Sequence, residues 1–322
     1  RCGTKTPLTS ACYAGYLKVV KQLINVGVDV NLGDGNKTPL TAACKAGYED
    51  VVDELIKAGA DINLADKQKT PLITAFDYGH SHIVELLVKA GSEAIHKGGN
   101  ETSLTIACCN GQLEEVANII QAGADANFRD GVLTPLVAAC YMGHLRVVKE
   151  LIKAGADVNL LDGDKTPLTV ACQEKHLSVV EELINAGACV NSKDKHTIPI
   201  MVSCSSGNVK LTKVLVKAGV DVNIKHEGKT PLTVACSGGN IGIVEELINA
   251  GADVNSEGES LTPLTIACLH GNLSLVQMII KAGGNINLKG GNDTPLNIAC
   301  SEGNLSLVQM FIKAGANINL KG

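Results

Sequence analysis

Residues 166–172 read Thr166-Pro167-Leu168-Thr169-Val170-Ala171-Cys172, and the same unit closes with Ala186-Gly187-Ala188-Cys189-Val190-Asn191. A threonine hydroxyl can accept a hydrogen bond from a free N–H at a helix start, and proline suits the first helical position because no donor is needed there. Leu168, Ala171 and Cys172 are spaced i, i+3, i+4 and give this short helix a narrow apolar face of small residues. A second helix is predicted where Leu177, Val180, Leu183 and Ile184 recur at helical spacing, with Glu181 and Glu182 toward solvent. Ala186-Gly187 ends it. An extended stretch and a polar tip follow, as in Gly155-Ala156-Asp157-Val158-Asn159-Leu160 and Asp162-Gly163-Asp164-Lys165. Each unit is thus helix, turn, helix and a protruding hairpin-like finger, and none can bury its apolar face alone.

The unit fills the whole 322-residue chain. Pro7, Pro39, Pro71, Pro135, Pro167, Pro199, Pro231, Pro263 and Pro295 are all nine of the prolines; they share one register of 32 residues, with Ser103 in the single gap. Cys12, Cys44, Cys108, Cys140, Cys172, Cys204, Cys236, Cys268 and Cys300 form a second row in step, with Phe76 in the missing slot. About ten units therefore begin near residues 6, 38, 70, 102, 134, 166, 198, 230, 262 and 294. They are read as a single array over 1–322, with no separate domain and no clear capping repeats. A glycine usually follows three places after the cysteine, as at Gly15, Gly47, Gly79 and Gly143, where a left-handed turn can end the first helix; Lys175 breaks that rule.

The unit resembles the ankyrin repeat, whose signature runs Thr-Pro-Leu-His, a pair of alanines, Gly-His, a Val/Leu-rich second helix and Gly-Ala-Asp-Val-Asn. Thr38-Pro39-Leu40 with Gly59-Ala60-Asp61-Ile62-Asn63 shows both ends of that signature at their fixed offset, and the likeness covers the whole chain. The resemblance implies an all-α class with short β-hairpin-like fingers: an ankyrin-repeat solenoid, a curved, elongated stack whose concave face is formed by first helices and fingers. The chain departs from the family in its period, 32 where the family has 33, and in the histidine after Thr-Pro-Leu, replaced by Thr9, Thr41, Thr169, Thr233 and Thr265 among others. The hydrogen bonds at that slot must therefore differ. A third departure is local. The unit from Thr102 lacks its proline, and the finger before it reads Gly91-Ser92-Glu93-Ala94-Ile95, so this junction is the expected irregularity.

Catalysis has no visible machinery: no nucleophile elbow, P-loop, His-Glu-x-x-His or dinucleotide glycine fingerprint occurs, and no enzyme activity or cofactor is expected. The cysteines of the row lie one repeat apart. Stacked helices are ~8–10 Å apart, beyond the ~4.4–6.8 Å Cα separation of a disulfide or the shared ~2.3 Å bonds of a zinc site. The row is read as small buried hydrophobes; Cys2, Cys109 and Cys189 lie off it and are the thiols expected at the surface. His80, His144 and His176, in the Gly-His phase, are read as structural hydrogen bonders, and no metal site is assigned. Five Asn-x-Ser/Thr sequons, at Asn36, Asn100, Asn272, Asn292 and Asn304, arise from turn and cap chemistry and leave glycosylation open.

With 28 basic against 33 acidic residues and a net charge of −5, neither a nucleic-acid partner nor a polybasic membrane contact is favoured. No apolar run approaches the ~18–20 residues of a membrane span, so no membrane insertion is expected. The row of reduced thiols favours a cytoplasmic location; because the chain opens at Arg1 without a Met, an upstream signal segment and hence secretion stay open.

The expected function is a non-catalytic scaffold that binds another protein or peptide on its concave helix-and-finger face. Aromatics make up only 2% of the chain, which singles out Tyr13, Tyr78 and Tyr141 as anchors. Met142 lies beside Tyr141, Cys109 and Asn110 occupy the same rows, Phe128 and Arg129 sit in one finger, and Lys37 and Lys69 precede Thr-Pro-Leu. The alternative is structural: a segment of a longer array, or a subunit stacking end to end on copies of itself through Leu305, Val308, Phe311 and Ile312. One stretch, Gly271 to Met278, returns unchanged as Gly303 to Met310.

Overall fold

A computed structural model of the chain describes residues 6–35, 37–62, 64, 70–95, 100–128, 133–162, 165–191 and 198–320. It divides into two compact units, residues 1–162 and 163–322. The first holds α1 (Pro7–Ala14), α2 (Leu17–Asn25), α3 (Pro39–Ala46), α4 (Glu49–Lys57), α5 (Pro71–Asp77), α6 (Ser81–Ile95), α7 (Asn100–Cys109), α8 (Leu113–Gln121), α9 (Pro135–Met142) and α10 (Leu145–Lys153). The second holds α11 (Pro167–Gln173), α12 (Leu177–Asn185), α13 (Pro199–Ser205), α14 (Val209–Lys217), α15 (Pro231–Ser237), α16 (Ile241–Asn249), α17 (Pro263–Leu269), α18 (Leu273–Lys281), α19 (Pro295–Ser301) and α20 (Leu305–Lys313). First helices, shorter than their partners except α7, alternate with more amphipathic second helices. Within each unit first helices pack on neighbouring first helices, such as α1 on α3 and α15 on α17, while second helices pack as α14 does on α16.

The caps form as the sequence dictates. Thr6, Thr134, Thr166 and Thr294 each accept a hydrogen bond from the backbone N–H three residues on. Where the slot after Thr-Pro-Leu is threonine, the cap can become reciprocal. Thr41 N donates to Thr38 Oγ1 at 3.1 Å while Thr38 N donates to Thr41 Oγ1 at 2.9 Å, and Thr230/Thr233 and Thr262/Thr265 repeat the box. This is the altered network that loss of the family's histidine requires. Proline at the first helical position leaves no donor idle. The seventh repeat is the exception among capped first helices: Ile198 stands at the N-cap of α13 with no side-chain bond.

First helices end in a left-handed residue. Gly143 closes α9 at φ 74°, and at the same place in the sixth repeat Lys175 takes φ 62°. A side chain there costs ~1–2 kcal/mol, because its Cβ crowds the following carbonyl.

The core is aliphatic and continuous along each unit. Leu55, Leu151, Leu183, Leu215, Leu247, Ile279 and Phe311 occupy one second-helix slot and are all fully buried. Phe311 therefore belongs to the core shared by α19 and α20, and the expectation that it lies on an end face is corrected. Cys12, Cys44, Cys108, Cys140, Cys172, Cys204, Cys236 and Cys268 are buried, as the row predicts, whereas Cys300 is exposed: among the described residues no first helix follows α19 to cover it. Cys109 corrects a second expectation. It is 1% exposed, closed off where α7 packs on α9, while Cys189 is exposed as expected; Cys2 lies outside the described residues.

The fingers are hairpin-like at isolated antiparallel bridges such as His226 with Lys229 and Gly290 with Asp293, with bridge residues also at Asp162 and Lys165, and no longer strand occurs among the described residues. What holds them is an asparagine ladder. Asn223 Nδ2 donates to Gly251 O at 3.1 Å, and Asn223 Oδ1 accepts from Asp253 N at 2.7 Å, so one side-chain amide grips the main chain of the next repeat twice. Asn127 does the same to Gly155 and Asp157, Asn191 to Gly219 and Asp221, and Asn255 to Gly283 and Asn285. Each aspartate in turn fixes its own finger: Asp253 Oδ1 accepts from Asn255 N at 2.9 Å, an Asx turn just beyond the end of the second helix.

Where both the Asp and the Asn are replaced, the helix runs on; where only the Asp changes, as at Cys189 with Asn191 kept, α12 still ends at Asn185. The third repeat has Glu93 and Ile95 at these places, and α6 runs for 15 residues against nine in α4, α10 or α16. Glutamate is too long for an Asx turn and Glu-Ala is good helix sequence. At this joint α6 itself packs on α7.

Candidate partner-binding surface

The ends of the first helices and the adjoining fingers make the surface on which the sequence places its contacts. Tyr13, near the end of α1, is 49% exposed, and Lys37 from the next finger lays its Nζ over the ring, 4.7 Å from the centroid. Tyr78, just past α5, is also 49% exposed, and Lys45 at the end of α3 places its Nζ 4.8 Å from that centroid. Each ring is thus held by a cation from a neighbouring repeat, an arrangement worth ~0.5–1 kcal/mol at an exposed site. The rings are set in position before any partner arrives. Lys45 was not among the residues picked out by sequence; its register beside Tyr78 becomes visible only once the repeats stack.

The remaining expected contacts do not form one patch. Tyr141 is only 5% exposed: the ring at Tyr13's place in the fifth repeat is buried, so it cannot serve as an open anchor. Met142 and Phe128 are half-buried, Asn110 is exposed, and Cys109 is buried. Lys69 and Arg129 lie outside the described residues. Of the expected end-face residues, Leu305 and Ile312 are 66% and 55% exposed and Val308 is half-buried.

The histidines hold the stack together. His144 Nε2 lies 2.8 Å from Cys109 O and His80 Nε2 lies 3.3 Å from Lys45 O, each reaching the carbonyl of the preceding repeat. In residues 198–320 asparagine takes the same place and instead caps its own second helix: Asn208, Asn272 and Asn304 each accept from the N–H three residues on. Two of the five sequons thus have their asparagine amide engaged as a helix cap, while Asn292 is exposed.

The thiols are chemically quiet. Burial pushes Cys12, Cys109, Cys172, Cys204, Cys236 and Cys268 up to about 12, and raises Cys44, Cys108 and Cys140 too, so all stay protonated and non-nucleophilic near neutral pH. Glu174 is also raised, by desolvation that outweighs His176, Lys165 and Lys175. Among the described residues no three His, Cys, Asp or Glu side chains gather as a metal site, and no helix is long and apolar enough to cross a membrane.

A tandem of capped helix pairs, aliphatic in its core and carrying variable side chains at the helix ends, defines a repeat protein of the protein-interaction kind. The family profile described as ankyrin repeats (3 copies) matches residues 1–66, 63–130, 104–194, 191–258 and 255–322, and the chain belongs to the ankyrin repeat family. No curated protein matches it. Ankyrin repeats generally serve as protein–protein interaction modules.

Proposed function

We propose that the protein is a non-catalytic scaffold that binds another protein or peptide on the helix-and-finger face of its first three repeats, with Tyr13 and Tyr78 as anchors. The observation that carries this reading is the pair of half-exposed rings, each seated under a lysine of an adjacent repeat. Tyrosine offers a large contact area at little conformational cost, and rings already fixed lose less freedom on binding. The unbroken register supports treating the ten repeats as one array that presents this face.

A random-peptide display library selected against the full chain tests the proposal. Enriched peptides should bind the Tyr13→Ala/Tyr78→Ala protein at least ~30-fold more weakly, the equivalent of ~2 kcal/mol, while its melting temperature falls by no more than the loss of the two cation–ring contacts accounts for. Equal binding to both proteins would overturn it.

A second reading is favoured by one observation. Val19 is 47% exposed while its counterparts Val51, Val147 and Val179 are at most 1% exposed, and Ile318 is 69% exposed against 7% and 8% for Val222 and Val254. These are the two halves of a repeat–repeat interface. A further repeat would cover them, supplied by a longer chain or by a second copy stacking end to end. Light scattering over a wide concentration range tests the second copy: mass that grows with concentration supports it, and constant mass rules it out for this chain.

A further inference from the structure

Within residues 163–322 a cavity of about 410 Å³ opens between α15, α17 and the finger at 258–261. That is toward the small end of the ~300–1,000 Å³ range of ligand sites. Its walls are aliphatic, from Val234, Leu261, Ile266 and Leu269, and Ser237 and His270 supply polar edges. The 32-residue register explains why the space is open. Seven repeats earlier, Tyr13 stands in the place of Ser237 and Lys37 in the place of Leu261, and the tyrosine ring lies directly beside that finger residue. In the fifth repeat the same place is Tyr141, whose ring is buried. Where the chain supplies a ring, the position holds one; at 237–238 it supplies Ser-Gly, where the fifth repeat has Tyr-Met.

We infer that this cavity receives an aromatic side chain presented in trans by a segment of a partner protein, with the ring taking the place that Tyr13 fills in its own repeat. The inference rests on the helix-and-finger face being the binding face, and it adds a second contact and the chemistry of its occupant. Charge points the same way. The ion pair on the cavity wall, Lys229 Nζ to Glu259 Oε1 at 3.7 Å, cancels itself and gives a charged anchor no advantage, while Leu269, 43% exposed, extends the apolar wall outward.

The test is an NMR titration of the ¹⁵N-labelled full chain with N-acetyl-tyrosinamide, N-acetyl-leucinamide and N-acetyl-alaninamide. The tyrosine amide should produce saturable shifts at Ser237, Leu261 and Leu269 and bind at least ten-fold more tightly than the alanine amide. Ser237→Tyr copies the residue found at 13 and 141 and should abolish those shifts with an unchanged melting temperature; Leu269→Ala, at an exposed position, should weaken them several-fold. Ser301→Tyr should leave them intact. A leucine amide that binds as tightly as the tyrosine amide overturns the aromatic occupant, and absence of saturable shifts at Ser237 and Leu261 overturns the site. Tyr13→Ala/Tyr78→Ala leaves this cavity untouched, so the two proposals fail separately. Peptides indifferent to that double variant count against the first face alone; the loss of amide shifts counts against this cavity alone.

Discussion

The joint between the seventh and eighth repeats and the joint between the third and fourth are built on the same period yet hold differently. At the first, Asn223 grips Gly251 and Asp253 across the gap, and Asp221 fixes its own finger by accepting from Asn223 N at 2.9 Å. At the second, Glu93 and Ile95 replace that pair, α6 continues to residue 95, and helix packs on helix instead. The finger survives loss of the aspartate alone, as at Cys189, but not replacement of both residues. Apolar periodicity sets the helices, whereas the asparagine sets what the finger holds.

The largest way to separate the third repeat from the regular ones is alkali. Cys172, Cys204, Cys236 and Cys268 line the regular repeats, while the third repeat carries Phe76 in that row. Burial holds these four thiols up to about 12, against an ordinary value of 9.0. Their stabilising contribution is complete below pH 9. Between 9 and 12 the unfolded chain has released protons that the folded one retains, so stability falls as pH rises, by ~1.4 kcal/mol per pH unit per thiol. Urea midpoints for residues 163–322, followed by hydrogen exchange, should drop sharply from pH 8 to pH 10, and replacing the four cysteines by alanine should flatten the dependence. A midpoint that ignores pH would show the thiols ionising without unfolding.

Next in size is the core. Leu247→Ala, at a fully buried slot in α16, should destabilise its surroundings by ~2–5 kcal/mol and leave the exchange pattern of residues 81–109 unchanged, since stacked repeats couple chiefly to neighbours. Loss of protection at both places would mean that the molecule unfolds as one body.

The ladder comes third. Asn223→Ala removes two inter-repeat hydrogen bonds and should cost ~1–2 kcal/mol in chemical denaturation. The reverse experiment replaces Ser92-Glu93-Ala94-Ile95 by Ala-Asp-Val-Asn. Limited proteolysis should cut the parent first within 91–104 and spare that stretch in the graft; first cleavage elsewhere in the parent would deny that this joint is the weakest.

The smallest expected effect is at Lys175, held at φ 62°. Lys175→Gly should raise stability by about 1 kcal/mol, read from the thermal midpoint, whereas Gly143→Lys should lower it by a similar amount.

Most of the fold was legible because it depends on short spacings. The Thr-Pro caps, the small apolar face ending in cysteine, the glycine turn and the odd junction at 91–104 all follow from residues within one unit. What was not legible depends on neighbours more than 20 residues away. Asparagine at 223 reads as a turn former, and only stacking shows its amide reaching Gly251 and Asp253. Tyr13 and Tyr141 share one place in the repeat, yet one ring is open under a lysine and the other is buried. Cys109 is sealed although it lies off the cysteine row. A period predicts equal positions, but burial depends on the side chains that neighbouring repeats contribute.

The asparagine ladder also bears on how such a chain can be lengthened. The two hydrogen bonds by which Asn223 grips the repeat that follows both end on its main chain, at a carbonyl and an N–H. A clip of this kind asks nothing of its neighbour's sequence beyond a matching backbone. A copied repeat, inserted at any ladder joint, is gripped on both sides at its first appearance, with no second change needed to make it fit. The verbatim return of residues 271–278 at 303–310 is the kind of inheritance that such indifference permits.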